Sequence, residues 1–448
     1  MNNFLQRIFR IKPGEFGLIL TLGTILFINY LTMGITKVVS VSGFLSEVQD
    51  YFILLVWAGD MGLLILATGL QSLIIDRFSR IKLLGAIILI LGIIYALLPL
   101  TFILDRFPLE ISYTLLYLLT DQQWLIFPLI FWALINDLYS PAQGRRLLPI
   151  IGSFAFIGTV VGLLIAQLDA KLHFGAIKLL FLNATAFLVA LGIVFFVLRK
   201  KHVRQQSQNS ATIREAFSGG WNFIQSVPAF RYLSLSMFSA GITITLLLYD
   251  TLSDASQHFG NNFQSFFALY SLVIAIISVL LQFLSGRIIE KFGIKSSFAF
   301  LPFSMLLASI INFFIPGVWG SAPAQGVTRI TLDTVDQSNR KAYQAFVPDE
   351  KRGRVSIFID SYLPSLGTIL GSLLAFGIIS WGISKGMARE TLSSIYLGIG
   401  VIAAIIAVIA FFLMYSTYDQ SLLNWQMKRR SRGSSVMDLL DFSDEEKN

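Results

Sequence analysis

The chain has 448 residues, of which 55% are hydrophobic and only 13% are charged. Soluble domains carry about 25% charged residues, so this composition excludes a soluble fold and a disordered chain. There is no Cys, which excludes disulfides and thiolate metal sites. The three His residues lie far apart in the sequence, so we expect neither a metal nor a cofactor.

Twelve stretches are long and apolar enough to cross a membrane, which takes about 20 residues. Each must close its own backbone hydrogen bonds in lipid, so each is predicted to be a helix. The predicted fold class is therefore an all-α polytopic membrane protein. The predicted spans are 16–36, 51–75, 83–104, 112–138, 148–168, 176–198, 230–250, 263–285, 296–316, 318–343, 355–380 and 391–415.

Basic residues predict the orientation in the bilayer. Of the 34 Lys and Arg residues, 27 fall at the two termini and in the loops that share their side of the membrane. The positive-inside rule then places both termini in the cytoplasm. The net charge of +8 thus reflects topology, and no nucleic-acid partner is expected. The segment before residue 16 is predicted to be a short helix on the membrane surface, or else a frayed basic terminus.

The chain reads as a duplication. A polar linker at 199–229 separates six spans in 1–198 from six spans in 230–415, and 416–448 is predicted to be a mobile cytoplasmic tail. Two motifs recur, at offsets of 214 and 209 residues. Two six-helix halves in the same orientation are the parallel repeat of major-facilitator transporters. The matching segments are 72–79 with 286–293, and Gly158 and Gly162 with Gly367 and Gly371.

Two loops resemble the acidic-basic signature that follows the second helix of each major-facilitator half. The resemblance implies a latch between helices in one transport state, and the alternative is a plain topology-setting loop. The glycine pairs of the second motif are predicted either to slide against the other half or to pack statically. The predicted gating residues are Asp76, Arg77, Arg80, Glu290, Lys291, Arg354 and Asp360.

Several stretches resemble the bacterial and plastid ATP/ADP translocase family of nucleotide transporters. They are 29–39, 131–152 and 336–367; together with 16–35, which is similar in general pattern only, they cover about a sixth of the chain. The resemblance implies antiport with a nucleotide as the first guess for the substrate. Val38 and Thr368 depart from the family's pattern, so ATP/ADP exchange does not follow.

The tenth span is the most polar. Arg329, Asp333, Asp336 and Arg340 follow one another at i, i+4, i+7 and i+11, which predicts a single charged stripe on one helical face. Charges at membrane depth face a bundle interior or a water-filled cavity. The stripe, flanked by Asn339, is predicted to form a cavity wall that binds a charged substrate. The alternatives are ion pairs that only hold the halves together, and a cytoplasmic position for Arg340.

Isolated polar residues in the first half add further candidates. Lys37 is predicted to end the first span and to bind an anion, or else to snorkel to the outer interface. Asp60 is predicted to pair with Lys37 or to carry a coupling proton, or else to form a silent ion pair. Asp121 and Gln122 are predicted to bind substrate, or else to start a helix at the interface.

Residues near the cytoplasmic ends complete the list. Asn136 is predicted to line the cytoplasmic mouth, and Asp137 to pair with Arg145 or Arg146. Asp360 is predicted to pair with Arg354 or Lys341, with a gate as the alternative.

The predicted function is secondary active transport of a polar, anionic small molecule by alternating access, in a monomer embedded in the bilayer. A P-loop, a nucleophile elbow and an HExxH motif are all missing from the sequence, so no enzyme is predicted. Short loops without a signal peptide fit a bacterial inner membrane, with a plastid envelope as the alternative. The rival predictions are proton-coupled transport of another solute, and a lipid translocator or scaffold that transports no small molecule.

Overall fold

The computed structural model describes residues 15–74, 79–104, 107–198, 213–344, 347 and 349–445. These residues are helical almost throughout, and no strand occurs among them. The predicted membrane-surface segment before residue 15 lies outside the described residues, as does 199–212 of the predicted linker.

Six membrane helices form the first half, followed by a shorter helix, α7, within the predicted linker. Each begins and ends near a predicted span. They are α1 (Phe16–Glu47), α2 (Ile53–Ile74), α3 (Arg80–Leu97, continued by Pro99–Ile103), α4 (Leu109–Leu138), α5 (Pro141–Leu172), α6 (Ala176–Phe196) and α7 (Ile213–Ser226).

Six more membrane helices form the second half. Two of them, α11 and α12, each contain one π-helical turn. They are α8 (Pro228–Phe259), α9 (Phe263–Ser297), α10 (Phe300–Phe314), α11 (Val318–Thr331, Leu332–Asp336 and Gln337–Gln344), α12 (Asp349–Ile357, Phe358–Tyr362 and Leu363–Ser384) and α13 (Arg389–Glu445).

The helices confirm an all-α fold with twelve membrane helices. By length and composition, nine helical stretches of the described residues can cross a membrane, and one of these, Pro228–Ser297, comprises both α8 and α9. The short apolar helix α10 and the polar helix α11 bring the number to twelve. After residue 415, where the sequence predicts a cytoplasmic tail, α13 continues as a helix to Glu445.

The two repeated loops differ at one backbone position. Gly293 has φ 79°, a left-handed conformation that a residue with a Cβ rarely adopts, and it bends the end of α9. Ser79 stands at the matching position with φ −57° and precedes α3 directly. The first copy of the motif therefore folds without the glycine that the second copy needs.

The glycine pairs pack statically within each half, so the predicted sliding contact between halves is wrong. In the first half, a Cβ on Gly162 of α5 would lie 2.3 Å from the carbonyl oxygen of Leu31 in α1. In the second, a Cβ on Gly367 of α12 would lie 2.2 Å from the carbonyl oxygen of Phe238 in α8. Small residues at such crossings let two backbones touch. The same contact therefore recurs at the same place in both halves.

The two ends of the bundle differ in how the halves meet. We call the end that carries α7, Glu15 and Ser79 the linker face, and the opposite end the far face. At the far face, residues of both halves share one apolar core, in which Phe44 and Trp57 pack with Leu246 and Phe263. Toward the linker face, the buried residues of each half form a core of their own, and Ile65 of α2 packs against the core of the second half. The halves are thus joined most tightly at the far face.

Candidate functional site

Lys37 lies deep inside the molecule. The prediction that it ends the first span is wrong, because α1 continues for ten more residues to Glu47, which is about 15 Å of helix. Although Lys37 is far from both ends of α1, its side chain is exposed. The ammonium group interacts electrostatically with Asp121 of the first half and with Arg329 and Asp333 of the second. Lys37 forms no ion pair with a described residue. It therefore presents a free ammonium group between the halves.

α4 supplies two of the predicted residues to the same region. Asp121 is twelve residues into this helix, at mid-depth, so the alternative of an interfacial helix start is wrong. The Gln122 side chain donates a hydrogen bond to Asp60 Oδ1 of α2 at 3.0 Å. Asp60 is fully buried, and its Oδ2 has no hydrogen-bond donor among the described residues. The Asp121 carboxyl group adjoins that of Asp60.

The next residue of α4, Gln123, points into the core of the first half. It donates to the side-chain oxygen of Asn29 at 3.0 Å and accepts a hydrogen bond from Tyr95 at 2.7 Å. Asn29 therefore joins helices within the first half and does not face the site.

Arg329 and Asp333, the earlier residues of the charged stripe on α11, face the same space as Lys37 and Asp121. Arg329 Nε binds Asp333 Oδ2 at 2.7 Å, and the two side chains are 38% and 39% exposed. Arg329 also interacts electrostatically with Asp121 and Tyr117 of α4. These electrostatic interactions with charged and polar groups of the other half indicate that the pair faces the space between the halves.

Asp336 and Arg340, the later residues of the stripe, are buried within the second six-helix half. Arg340 binds Asp336 at 2.7 Å and Asp360 of α12 at 2.6 Å, with the Arg340 and Asp336 side chains 8% and 2% exposed. The prediction of a single charged face is therefore wrong. The π-helical turn Leu332–Asp336 is wider than an α-helical turn, and this rotates the residues after it out of register.

Asp360 joins α12 to the end of α11. The Lys341 ammonium binds Asp360 Oδ2 at 2.7 Å, as predicted, while Arg340 takes the place predicted for Arg354. Gln344 and Ser356 also donate hydrogen bonds to this carboxylate, at 3.0 Å each. Asp336 and Asp360 thus belong to one ion-pair network within the second half.

Three other predicted positions lie away from Lys37. Asn339 is buried and donates to the carbonyl oxygen of Ile294 at 3.0 Å, so it supports α9. Asn136 is exposed near the end of α4 at the linker face. Asp137 binds Arg80 of α3 at 2.5 Å, so the predicted partners Arg145 and Arg146 are wrong.

The predicted gating residues fall into three groups. Asp76 and Arg77 lie outside the described residues. Glu290 and Lys291 are exposed at the linker face. Arg80 and Asp360 form the ion pairs given above, and the Arg354 carbonyl lies against Gly220 of α7.

The aromatic residues near the charged groups are not among the site residues predicted from the sequence. Tyr117 lies one helical turn before Asp121, and its hydroxyl group interacts with both Asp121 and Asp60. Trp57 lies one turn before Asp60. Tyr270 of α9 donates to the Ala322 carbonyl oxygen at 2.9 Å and interacts with Arg329. A spacing of three or four residues from each acid was the available signal for Tyr117 and Trp57.

Polar contacts join the halves at the far face. Asp50, before α2, binds Ser253 of α8 and lies 3.9 Å from Arg389 of α13. Asp169 of α5 accepts a hydrogen bond from Gln264 of α9 at 2.7 Å. Beside Asp169, a cavity of about 510 Å³ lies between the halves. Both apolar and polar contacts therefore join the halves at the far face, around this pocket.

No protein-family model and no curated protein sequence matches the chain. Several solved structures are similar to it in fold. The nucleoside transporter NupG has a TM-score of 0.64 at 16% identity, covering 88% of this chain and 99% of NupG. A bacterial homologue of the human lysosomal transporter Spinster, in an inward-facing and unoccupied conformation, has a TM-score of 0.60 at 17% identity, covering 93% and 99%. An auto-inhibited peptide transporter of the POT family has a TM-score of 0.65 at 11% identity, covering 87% and 95%.

These likenesses extend over nearly the whole of each chain. At identities this low they establish the fold alone. Together with the helices described above, they show that the chain has the major-facilitator fold, with twelve membrane helices in two parallel six-helix repeats.

Proposed function

We propose that the protein is a secondary transporter that moves a small charged metabolite by alternating access between its two halves. One observation carries the proposal: charged groups from both halves converge at mid-depth. Lys37 and Asp121 come from the first half, and Arg329 and Asp333 come from the second. Ionisable groups at membrane depth are costly, and in membrane proteins they mark substrate and ion pathways.

The arrangement of the halves supports the same proposal. The halves share one apolar core at the far face, whereas toward the linker face the buried residues of each half form their own core, with Ile65 of α2 packed against that of the second half. A substrate would then reach the site from the linker face, which we take as cytoplasmic from the excess of basic residues. A lipid translocator or scaffold would not need charges that meet across the interface between the halves.

The sequence resemblance suggests a nucleotide as the substrate, and a nucleotide remains one candidate. Lys37 offers one free ammonium group, which attracts a single carboxylate or phosphate. Antiport, a bacterial inner membrane and a monomeric state are parts of the same proposal. A latch at the linker face, formed by Arg80 and Asp137, is also part of the proposal.

A thermal-unfolding screen of the purified protein tests the proposal. The probes are ATP and ADP, sugar phosphates and amino acids. A ligand at about 100 times its Kd adds about 2.7 kcal/mol of stability. We expect at least one class to raise the melting temperature, and the double variant Lys37→Ala, Arg329→Ala to lose that rise. Stabilisation that survives the double variant would contradict the proposed site.

A matched control separates a site effect from a general charge effect. Lys178 is exposed at the start of α6 and forms no ion pair with a described residue. Lys178→Met removes one positive charge, as Lys37→Met does. The control should keep full stabilisation by the ligand.

A second candidate is proton-coupled transport, which the environment of Asp60 favours. Its carboxyl group is fully buried, has one oxygen without a donor among the described residues, and adjoins the carboxyl group of Asp121. Buried carboxyl groups of this kind form proton relays in transporters.

Uptake into proteoliposomes tests the coupling. If Asp60 carries the proton, an imposed proton gradient drives uptake by the wild type. Asp60→Asn should then abolish gradient-driven uptake while exchange without a gradient continues. Equal response of both proteins to the gradient would exclude Asp60 as the carrier.

A further inference from the structure

The charges of the site are not equivalent, because two of them neutralise each other. Arg329 and Asp333 bind each other at 2.7 Å across one turn of α11. Lys37 has no ion-pair partner among the described residues, although Asp121 and Asp333 lie near enough to act on it. The free cationic group of the site is therefore Lys37.

The acidic groups without an ion-pair partner among the described residues lie on α2 and α4, in the same half of the chain as Lys37. Asp60 and Asp121 adjoin each other, and the one hydrogen bond that Asp60 receives from a described side chain comes from Gln122. Neither carboxyl group forms an ion pair with a described residue. The site thus presents the ammonium group of Lys37 and the carboxyl group of Asp121 to an entering ligand, with Asp60 buried behind Asp121.

This pattern does not match a polyanion. A triphosphate placed at Lys37 would bring several negative charges toward Asp121, Asp60 and Asp333, and like charges brought together in a site of low dielectric constant repel strongly. A ligand with opposite charges at its two ends would pair with both Lys37 and Asp121.

We propose, on the basis of the transporter function proposed above, that the substrate is a small zwitterion. Its carboxylate or phosphate binds Lys37, and its ammonium group binds the carboxyl group of Asp121, which the buried carboxyl group of Asp60 adjoins. Tyr117 lies beside both acids, and an aromatic ring there adds cation–π attraction for an ammonium group. α-Amino acids and aminoalkyl phosphates share this chemistry.

Matched pairs of probes test the ammonium requirement on the full-length protein. The pairs are L-phenylalanine with phenyllactate, L-serine with glycerate, and phosphoethanolamine with ethylene glycol phosphate, and ATP is added as a polyanion. In each pair the ammonium group is replaced by a hydroxyl group. We expect at least one zwitterion to bind about tenfold or more tightly than its partner, because the carboxyl groups lose their counter-ion with the hydroxyl compound. The member that binds tells a carboxylate from a phosphate.

Two variants assign the ends of the ligand. Asp121→Asn should abolish the preference for the ammonium compound over its hydroxyl partner, whereas Lys37→Met should weaken both members of a pair. If Asp121→Asn does not fold, the pair comparison in the wild type decides alone.

The other outcomes separate this proposal from the proposed function. Equal binding within each pair, or tightest binding of ATP, would overturn the zwitterion and leave a transporter of anions. If none of the zwitterions binds, the zwitterion is overturned, and the nucleotide and sugar-phosphate probes of the earlier screen decide the transporter function.

Discussion

Two ion pairs on α11 have the same spacing and different surroundings. Arg329–Asp333 and Asp336–Arg340 both join residues i and i+4 at 2.7 Å. The first pair is more than a third exposed and lies between the halves, whereas the second is buried and shares its arginine with Asp360. The comparison teaches that spacing along a helix predicts pairing, while the π-helical turn between the pairs decides which one can meet a substrate.

The largest effect is expected when the buried pair is broken. Arg340→Gln leaves Asp336 and Asp360 without the guanidinium group that both bind. Removing one partner of a buried ion pair costs about 3–5 kcal/mol. We expect a large fall in the melting temperature of the purified protein. An unchanged melting temperature would show that the second pair is not structural.

The same substitution in the exposed pair should behave in the opposite way. Arg329→Gln leaves Asp333 partly exposed, and breaking an exposed pair costs about 0–1 kcal/mol. We expect a nearly wild-type melting temperature with strongly reduced uptake of the ligand that stabilises the wild type. Reduced stability with normal uptake would show that the exposed pair is structural and does not serve transport.

A smaller effect is expected at the far face. Asp50→Asn weakens the link to Ser253 and Arg389, so the far face should open more often. The shift is about 1 kcal/mol, or roughly fivefold in the equilibrium between the two states. Because the chain has no Cys, spin labels at Lys171→Cys and Lys385→Cys report the distance between the halves without background. Longer distances are expected in Asp50→Asn.

A control for that measurement lies nearby. Glu390 is exposed at the start of α13 and forms no ion pair with a described residue. Glu390→Gln removes a charge without removing a link between the halves. It should leave the distance distribution unchanged, and an equal shift in both variants would contradict a specific role for Asp50.

Most of the fold could be predicted from the sequence. The positions of the spans and the parallel repeat follow from apolar length and from the motifs that recur in both halves. The cost of charge in lipid singles out Lys37, Asp60, Asp121, Arg329 and Asp333 as candidates that face the interior of the bundle.

Other features depend on tertiary structure that a single sequence does not reveal. The π-helical turn in α11 separated two pairs that an ideal helix would align. The pairing of Asp137 with Arg80 joins residues 57 positions apart, where nearer arginines were the obvious partners. The predicted end of α1 is too early, because a lysine after an apolar stretch is typical of a helix boundary, whereas this helix continues through Lys37 to Glu47.

The most direct test of the account compares two neighbouring positions on α11. Asp333 is 39% exposed at its side chain, whereas Thr334 is 1% exposed. In the protein without native Cys, Asp333→Cys and Thr334→Cys each provide one thiol for a water-soluble maleimide. The account predicts that Asp333→Cys is labelled, is protected by the ligand, and reacts much faster than Thr334→Cys. Equal labelling of the two, or no labelling of Asp333→Cys in the folded protein, would contradict a water-filled site between the halves.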